Sequence, residues 1–215
     1  MGRSLAEKVN PKESVVIVID MQNDFCHEDG AHGKHGGDLS MGQEMAPRLA
    51  SFLEDVRRAG VPIIFARCAL DEWSRSEVWE DAMDKRGLQD PPLCEEGTWG
   101  VEFYGPIQPR RGERVMTKHR NSCFIGTDLD LILRSRGIKT IILTGVATNG
   151  CVRSTGRDGY QTNYYVVFVE DCCATSSGVQ AHEETMRHAR GYAEVVSARD
   201  LVSVWQVAKR ALAAS

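Results

Sequence analysis

A thiol stands at Cys151 in the stretch Thr144-Gly-Val-Ala-Thr-Asn-Gly-Cys151, directly after the apolar run Lys139-Thr-Ile-Ile-Leu-Thr144. Gly145 and Gly150 bracket the connection. This spacing reads as a short parallel strand passing through a tight turn into a helix, with Cys151 in the first helical turn. Unpaired N–H groups and the positive end of the helix dipole favour thiolate there, which predicts a pKa below the usual thiol value of about 8.5. A free cysteine can equally be a small buried apolar residue. What separates the two readings is company. The first apolar run, Val15-Val-Ile-Val-Ile19, ends on Asp20, and Arg114-Val-Met-Thr117 ends on Lys118. In a doubly wound sheet, ligands bind beyond the carboxyl ends of the strands, so a carboxylate, an ammonium and a thiol would approach one edge. The carboxylate can take the thiol proton, and the ammonium can hold the charges that form. Taken singly, each of the three is as compatible with a solvated strand end.

The elements that must position these groups follow from hydrophobic periodicity. Apolar β-branched runs alternate with amphipathic stretches along the chain, the pattern of βα units around a mainly parallel sheet covered on both faces. Strands are predicted near 15–20, 62–67, 114–117, 139–144, 164–169 and 194–197, and helices near 43–59, 127–136, 150–161, 178–190 and 199–213. The expectation is a three-layer α/β/α sandwich with a six-stranded sheet, one domain over 1–215, with residues 1–13 as an N-terminal extension. The helix from Thr127 carries the fullest set of boundary signals, with Thr127 as N-cap, Asp130 in the first turn and Gly137 as the stop. Between 70 and 112 the pattern breaks into charged, Trp-bearing and Pro/Gly-rich pieces such as Asp90-Pro-Pro-Leu93. A connection this long inside a compact domain is usually functional, and it is read here as a substrate loop region.

Composition narrows the partners. Twenty-six basic against 30 acidic residues give a formal charge of −4. No Lys/Arg cluster is long enough to track phosphates, so nucleic acid is not expected. The cysteines at 26, 68, 94, 123, 151, 172 and 173 are odd in number and lack a C-x-x-C pair. That speaks against an oxidised framework, a zinc ribbon and a dithiol redox protein alike, and points to a reducing, cytoplasmic setting. Val15–Ile19 is too short for a signal-peptide core or a membrane span.

These segments together resemble the isochorismatase-like cysteine hydrolases. The resemblance runs from Val15 to about Ala198. It rests on Val18-Ile-Asp20-Met-Gln-Asn-Asp-Phe25, Lys118-His-Arg-Asn-Ser-Cys-Phe124, Leu131-Ile-Leu-Arg-Ser-Arg-Gly137-Ile, Leu143-Thr-Gly-Val-Ala-Thr-Asn-Gly-Cys151-Val and Ser154-Thr-Gly-Arg-Asp158-Gly-Tyr160. It implies a catalytic triad of Asp20, Lys118 and Cys151, an oxyanion hole from the backbone N–H groups of Ala147 and Cys151, and a cis peptide between Val146 and Ala147. Homo-oligomers, dimers or tetramers, are also implied.

Substrate expectations follow from which branch the motifs fit. The nicotinamidases of this family hold a divalent metal with an Asp-x-His pair and a second His. Here the matching region reads Arg67-Cys-Ala-Leu-Asp71-Glu-Trp73, so no metal or other cofactor is expected. Vinyl-ether isochorismatases commonly lack the thiol, so Cys151 favours C–N cleavage. Glu96-Gly-Thr-Trp-Gly-Val-Glu102 and Leu133-Arg-Ser-Arg-Gly137 look most like the ureidoacrylate, biuret and triuret branch. Gln22, Asn23, Phe25, Trp99 and Arg120 are candidates for binding a small planar carbamoyl or ureido compound. The alternatives are an isochorismatase-type vinyl ether hydrolase and a non-catalytic small-molecule binder of the same fold. His32 and His35 lie within the Gly-rich stretch Gly30-Ala-His-Gly-Lys-His-Gly-Gly37 and His27 just before it; the spacing matches no metal motif, and the stretch reads as a flexible solvated loop near the pocket entrance. Cys172 and Cys173 are assigned to packing.

Overall fold

A computed structural model describes residues 2–213. Its strands are β1 (Ser14–Ile19), β2 (Ile63–Cys68), β3 (Arg114–Lys118), β4 (Thr140–Val146), β5 (Tyr165–Ala174) and β6 (Glu194–Val196). They form one sheet in the order β3-β2-β1-β4-β5-β6 with every neighbouring pair parallel. β1 and β4 are buried along their whole length, which is why both read as unbroken apolar runs rather than as alternation.

The helices are α1 (Leu5–Lys8), α2 (Asn23–Cys26), α3 (Ala31–Lys34), α4 (Ser40–Ala59), α5 (Glu77–Asp84), α6 (Leu129–Ser135), α7 (Arg153–Gln161), α8 (Val179–Ala189) and α9 (Ala198–Ala213). Alternate residues of each strand feed two cores. Val16 and Val18 of β1 join Leu49 and Phe52 of α4 and Leu201 and Trp205 of α9. Val15, Ile17 and Ile19 join Leu129 and Leu133 of α6 and Met186 of α8 on the other face. The result is a three-layer α/β/α sandwich. The order also makes a switch point. From β1 the chain moves outward through β2 and β3, then returns to lay β4 on the other side of β1, so the crevice beyond β1 and β4 is where a ligand belongs.

Several local expectations change. α6 begins at Leu129 with Asp128 in the cap position, yet the Thr127 hydroxyl still accepts from the Leu129 N–H at 3.2 Å, so Thr127 caps from one residue further out. β5 does not stop at 169. It passes a register shift and continues to Ala174, so Cys172 and Cys173 lie inside it and are buried in opposite cores, as strand alternation requires. The N-terminal segment is tied down, with Ser4 and Glu7 forming a capping box on α1 and the Trp205 indole donating to the Val9 carbonyl at 2.8 Å. The 70–112 connection carries α5, capped by Ser76, and a 3-10 turn at Trp99–Val101. It packs its own apolar cluster of Leu70, Met83, Leu88, Leu93, Cys94 and Val101. Among the described residues no helix is long and apolar enough to cross a membrane.

Gly145 shows how tightly β4 is pressed on β1. Its φ is +102°, and a Cβ there would stand 2.0 Å from the Ile19 carbonyl oxygen, backbone that cannot move aside. Gly145→Ala is therefore expected to cost about 3 kcal/mol or more, read as a lower urea midpoint at unchanged slope. A midpoint equal to the parent's would contradict this packing.

Candidate active site

Asp20 is the residue after β1, with φ +51°, a left-handed conformation that Asp tolerates better than most residues. Its N–H donates to the Ala66 carbonyl at 2.9 Å, so the side chain leaves the sheet at a defined point. Lys118 ends β3, which is separated from β1 by β2, a gap of roughly 9–10 Å at ordinary strand spacing. A four-carbon stem ending in an ammonium spans that gap. Cys151 follows β4 through a cis Val146–Ala147 peptide and a π-type turn over Thr148–Val152, closed by Val152 N–H to the Ala147 carbonyl at 3.2 Å. α7 starts only at Arg153, so Cys151 precedes the helix rather than lying in its first turn. The Thr155 hydroxyl donates to the Cys151 carbonyl at 2.8 Å and accepts from the Cys123 N–H at 3.0 Å, which pins the turn to the lysine-bearing segment.

The three side chains meet. Lys118 Nζ lies 2.8 Å from Asp20 Oδ2 and 3.4 Å from Cys151 Sγ, and it also donates to the Arg120 carbonyl at 3.1 Å. Asp20 and Lys118 are 1 % and 0 % exposed, and Cys151 alone among the seven cysteines is only partly buried, its residue reaching the surface while its thiol lies against the buried pair. Burial pushes the Asp20 carboxyl above its usual range, against the pull of the Lys118 ammonium and the Cys151 thiol. Burial alone would lower Lys118, but the negative charge of Asp20 outweighs it and holds the ammonium charged. Burial and the neighbouring carboxylate push the Cys151 thiol well above its usual value, with Lys118 opposing. This upward direction runs against the expected lowering of the Cys151 pKa.

A family model described as Isochorismatase domain matches residues 14–200. The chain belongs to the isochorismatase family. It is 32 % identical over 175 residues to ureidoacrylate amidohydrolase RutB of Agrobacterium fabrum, 76 % of each chain. Among solved structures it resembles an isochorismatase-like hydrolase from Alkaliphilus metalliredigens, with TM-score 0.76 and 30 % identity over 90 % of this chain and 99 % of that one. It also resembles N-carbamoylsarcosine amidase from Thermoplasma acidophilum, with TM-score 0.68 and 28 % identity over 86 % and 96 %.

In this isochorismatase-family hydrolase the residues expected to bind substrate divide sharply. Gln22 is wholly buried and spent: its amide donates to the carbonyls of Cys68 (2.8 Å) and Val101 (3.0 Å) and accepts from the Cys68 N–H (2.7 Å). Asn23 donates to the Trp99 carbonyl at 3.0 Å, and Asp24, not singled out from the sequence, accepts from the N–H groups of Ala31 and Cys94. These three side chains strap the 70–112 connection to the end of β1 instead of facing a ligand. Arg120 is likewise turned to backbone, donating to the carbonyls of Ser74 and His119 at 2.9 and 2.6 Å. Trp99 is 46 % exposed and packs edge-on against His27, ring centres 4.9 Å apart. Of the five, Arg120 lines one cavity with Trp73, Ser74 and His119, and Phe25 lines a separate one beside the cis peptide.

That cavity, of about 80 Å³, is bounded by Val146 and Ala147 of the cis peptide, by Phe25 and Leu93, and by His32, Asp38, Arg86 and Thr175. Thr175 donates to Asn149, within the turn that carries Cys151. The sequence offered two signals for its polar wall: a histidine inside a Gly-rich run, and an arginine inside the long connection. The run itself is ordered rather than a solvated loop. His27 accepts from the Asp29 N–H, His35 contacts the Pro91 carbonyl at 2.7 Å, and His32 faces the cavity, so the three imidazoles go three separate ways.

Proposed function

We propose that this hydrolase is a cysteine-dependent amidohydrolase that cleaves the C–N bond of a small carbamoyl or ureido compound through a covalent acyl-enzyme. The observation that carries the reading is the single ammonium held 2.8 Å from Asp20 and 3.4 Å from Cys151. The proton passes from Cys151 to Asp20 as sulfur attacks the carbonyl carbon. Lys118 balances the charge on whichever partner holds it. In this reading the backbone N–H groups of Ala147 and Cys151 receive the oxyanion. Asp20 then returns its proton to the departing nitrogen, ammonia or an amine leaves, and water attacks the thioester-like adduct with Asp20 again as base.

The chain's similarity to a ureidoacrylate amidohydrolase and an N-carbamoylsarcosine amidase supports a carbamoyl substrate. Seven free cysteines support a reducing, cytoplasmic setting, and Trp73 and Val78, 88 % and 81 % exposed, support assembly as a homo-oligomer of single-domain chains. The test is ammonia release from ureidoacrylate, biuret, triuret, N-carbamoyl amino acids, maleamate and nicotinamide, beside pyruvate release from a vinyl ether such as isochorismate. Turnover of the carbamoyl compounds is expected. Turnover of the vinyl ether alone, or of none, would overturn the reading.

The protonation state makes a separate forecast. A base whose pKa lies above the ordinary carboxylate range loses activity on acidification earlier than an exposed Asp would, and a thiol pushed upward cannot set the alkaline side in the usual thiol range. The kcat/KM profile should therefore rise through a single limb above the ordinary carboxylate range and stay flat past the ordinary thiol pKa. A profile that climbs only through the thiol range would show a pre-formed thiolate instead.

A further inference from the structure

The turn that presents Cys151 is not a regular helix. Gly150 inside it has φ −113° and ψ −108°, outside the helical region, and two N–H groups of the turn, those of Gly150 and Val152, share one acceptor, the Ala147 carbonyl, at 2.9 and 3.2 Å. Two polar side chains, Thr148 and Asn149, lie within the turn, and Thr148 is wholly buried. Buried polar groups need partners, and these find theirs outside the turn. The Thr148 hydroxyl is hydrogen-bonded to Nδ1 of His182 at 3.0 Å, and Asn149 Oδ1 accepts from the Thr175 hydroxyl at 2.7 Å.

Both partners come from one unit of the fold, the end of β5 and the start of α8. Thr175 directly follows β5; it is buried, and its hydroxyl also accepts from the Ser177 N–H at 3.2 Å. His182 stands near the start of α8, where its N–H donates to the Gly178 carbonyl at 3.4 Å, and α8 packs against the turn. Ala147 and Cys151, whose N–H groups receive the oxyanion in the proposed chemistry, flank the anchored stretch in the chain. Holding Thr148 and Asn149 from a strand and a helix therefore sets the spacing of those two donors, whereas the thiol has its own contact to Lys118.

We propose that His182 and Thr175 are positioning residues: through Thr148 and Asn149 they hold the nucleophile turn in the shape that aims its backbone donors at the developing oxyanion. A carbonyl oxygen gains its charge only as sulfur adds, so loss of either residue falls on kcat and leaves KM nearly alone. The catalytic consequence rests on the amidohydrolase reading; the hold on the turn does not, and the two are measured separately.

His182→Phe keeps a ring without the nitrogen, and His182→Asn puts an amide group near the Nδ1 position. Amide hydrogen exchange read by mass spectrometry should quicken several-fold over 147–152 in His182→Phe and in Thr175→Val, hold the parent's rate over β1 and α4, and return toward the parent's in His182→Asn and Thr175→Ser. With ureidoacrylate, His182→Phe should lower kcat by roughly 10–10²-fold, the range for misplaced catalytic groups, with KM within about threefold. Alkylation of Cys151 by iodoacetamide, which forms no oxyanion, should stay within about twofold of the parent. Thr148→Val should cost as much as His182→Phe, and the double variant little more than either, because both remove the same hydrogen bond. Unchanged exchange over the turn, an unchanged kcat, an equal loss in His182→Asn, alkylation slowed as far as kcat, or additive losses in the double variant would overturn the proposal. Faster exchange over the turn in the variants, with no turnover of any carbamoyl compound by the parent, would sink the hydrolase reading and leave the hold on the turn standing.

Discussion

Replacing Cys151 with serine is expected to lower ammonia release by roughly 10⁴-fold or more, with the fold intact, because the reaction loses its nucleophile while every surrounding contact can persist. A serine hydroxyl fits where the thiol sits and can still meet Asp20 and the Lys118 ammonium. What it lacks is acidity: a buried carboxylate that can take a thiol proton in the course of attack is far too weak a base for an alcohol. The near-UV and far-UV spectra and Tm of the variant should match the parent. Residual turnover within tenfold of the parent would mean that Cys151 is only a neighbour of the reaction.

Lys118→Met should be the most damaging change in stability and nearly as damaging in rate. Lys118 and Asp20 are almost fully buried, and removing one partner leaves the other as an uncompensated buried charge, at a cost of about 3–5 kcal/mol. The carboxyl can escape that cost by taking up a proton. Burial already raises its pKa, and the ammonium is the largest influence opposing that rise. Asp20 would then be protonated at neutral pH and unable to accept the thiol proton, a loss of roughly 10³-fold within the usual range for a general base. What activity remains should have its acid limb moved toward alkaline pH. Lys118→Arg should restore little, since the planar fork cannot occupy a site built around one nitrogen that also donates to the Arg120 carbonyl. An unchanged Tm for Lys118→Met would contradict the ion pair, and an unmoved acid limb would contradict the role given to Asp20.

How much of this was legible without coordinates depends on the range of the interaction. That Asp20, Lys118 and Cys151 each follow an apolar run can be read locally, because a strand buried on both faces announces itself by uninterrupted β-branched residues. The layers follow from the same runs. The roles of Gln22 and Arg120 cannot be read so, since what occupies Gln22 is the backbone of Cys68 and Val101, 46 and 79 residues away, and what occupies Arg120 is the carbonyl of Ser74. Polar residues near a predicted strand end look alike whether they face a ligand or strap a loop. The short helix α5 is hidden in a charged segment, because its burial depends on a cluster assembled from Ala31, Cys68 and Cys94 rather than on its own periodicity. The direction of the Cys151 shift departs from expectation for a comparable reason. Helix-terminus logic favours thiolate, but depth of burial and one adjacent carboxylate decide the balance, and neither is visible in the order of residues.

The proposed chemistry turns on a bond between the Cys151 sulfur itself and the carbonyl carbon of the substrate. It is tested most directly by mixing enzyme with ureidoacrylate isotopically labelled at the carbamoyl carbon, quenching in acid within the first turnover, and mapping the label by peptide mass spectrometry. Label on the peptide that contains Cys151, accumulating and then decaying as ammonia appears, is the expected result. Ammonia release at full rate with no label on that peptide at any time would contradict the account.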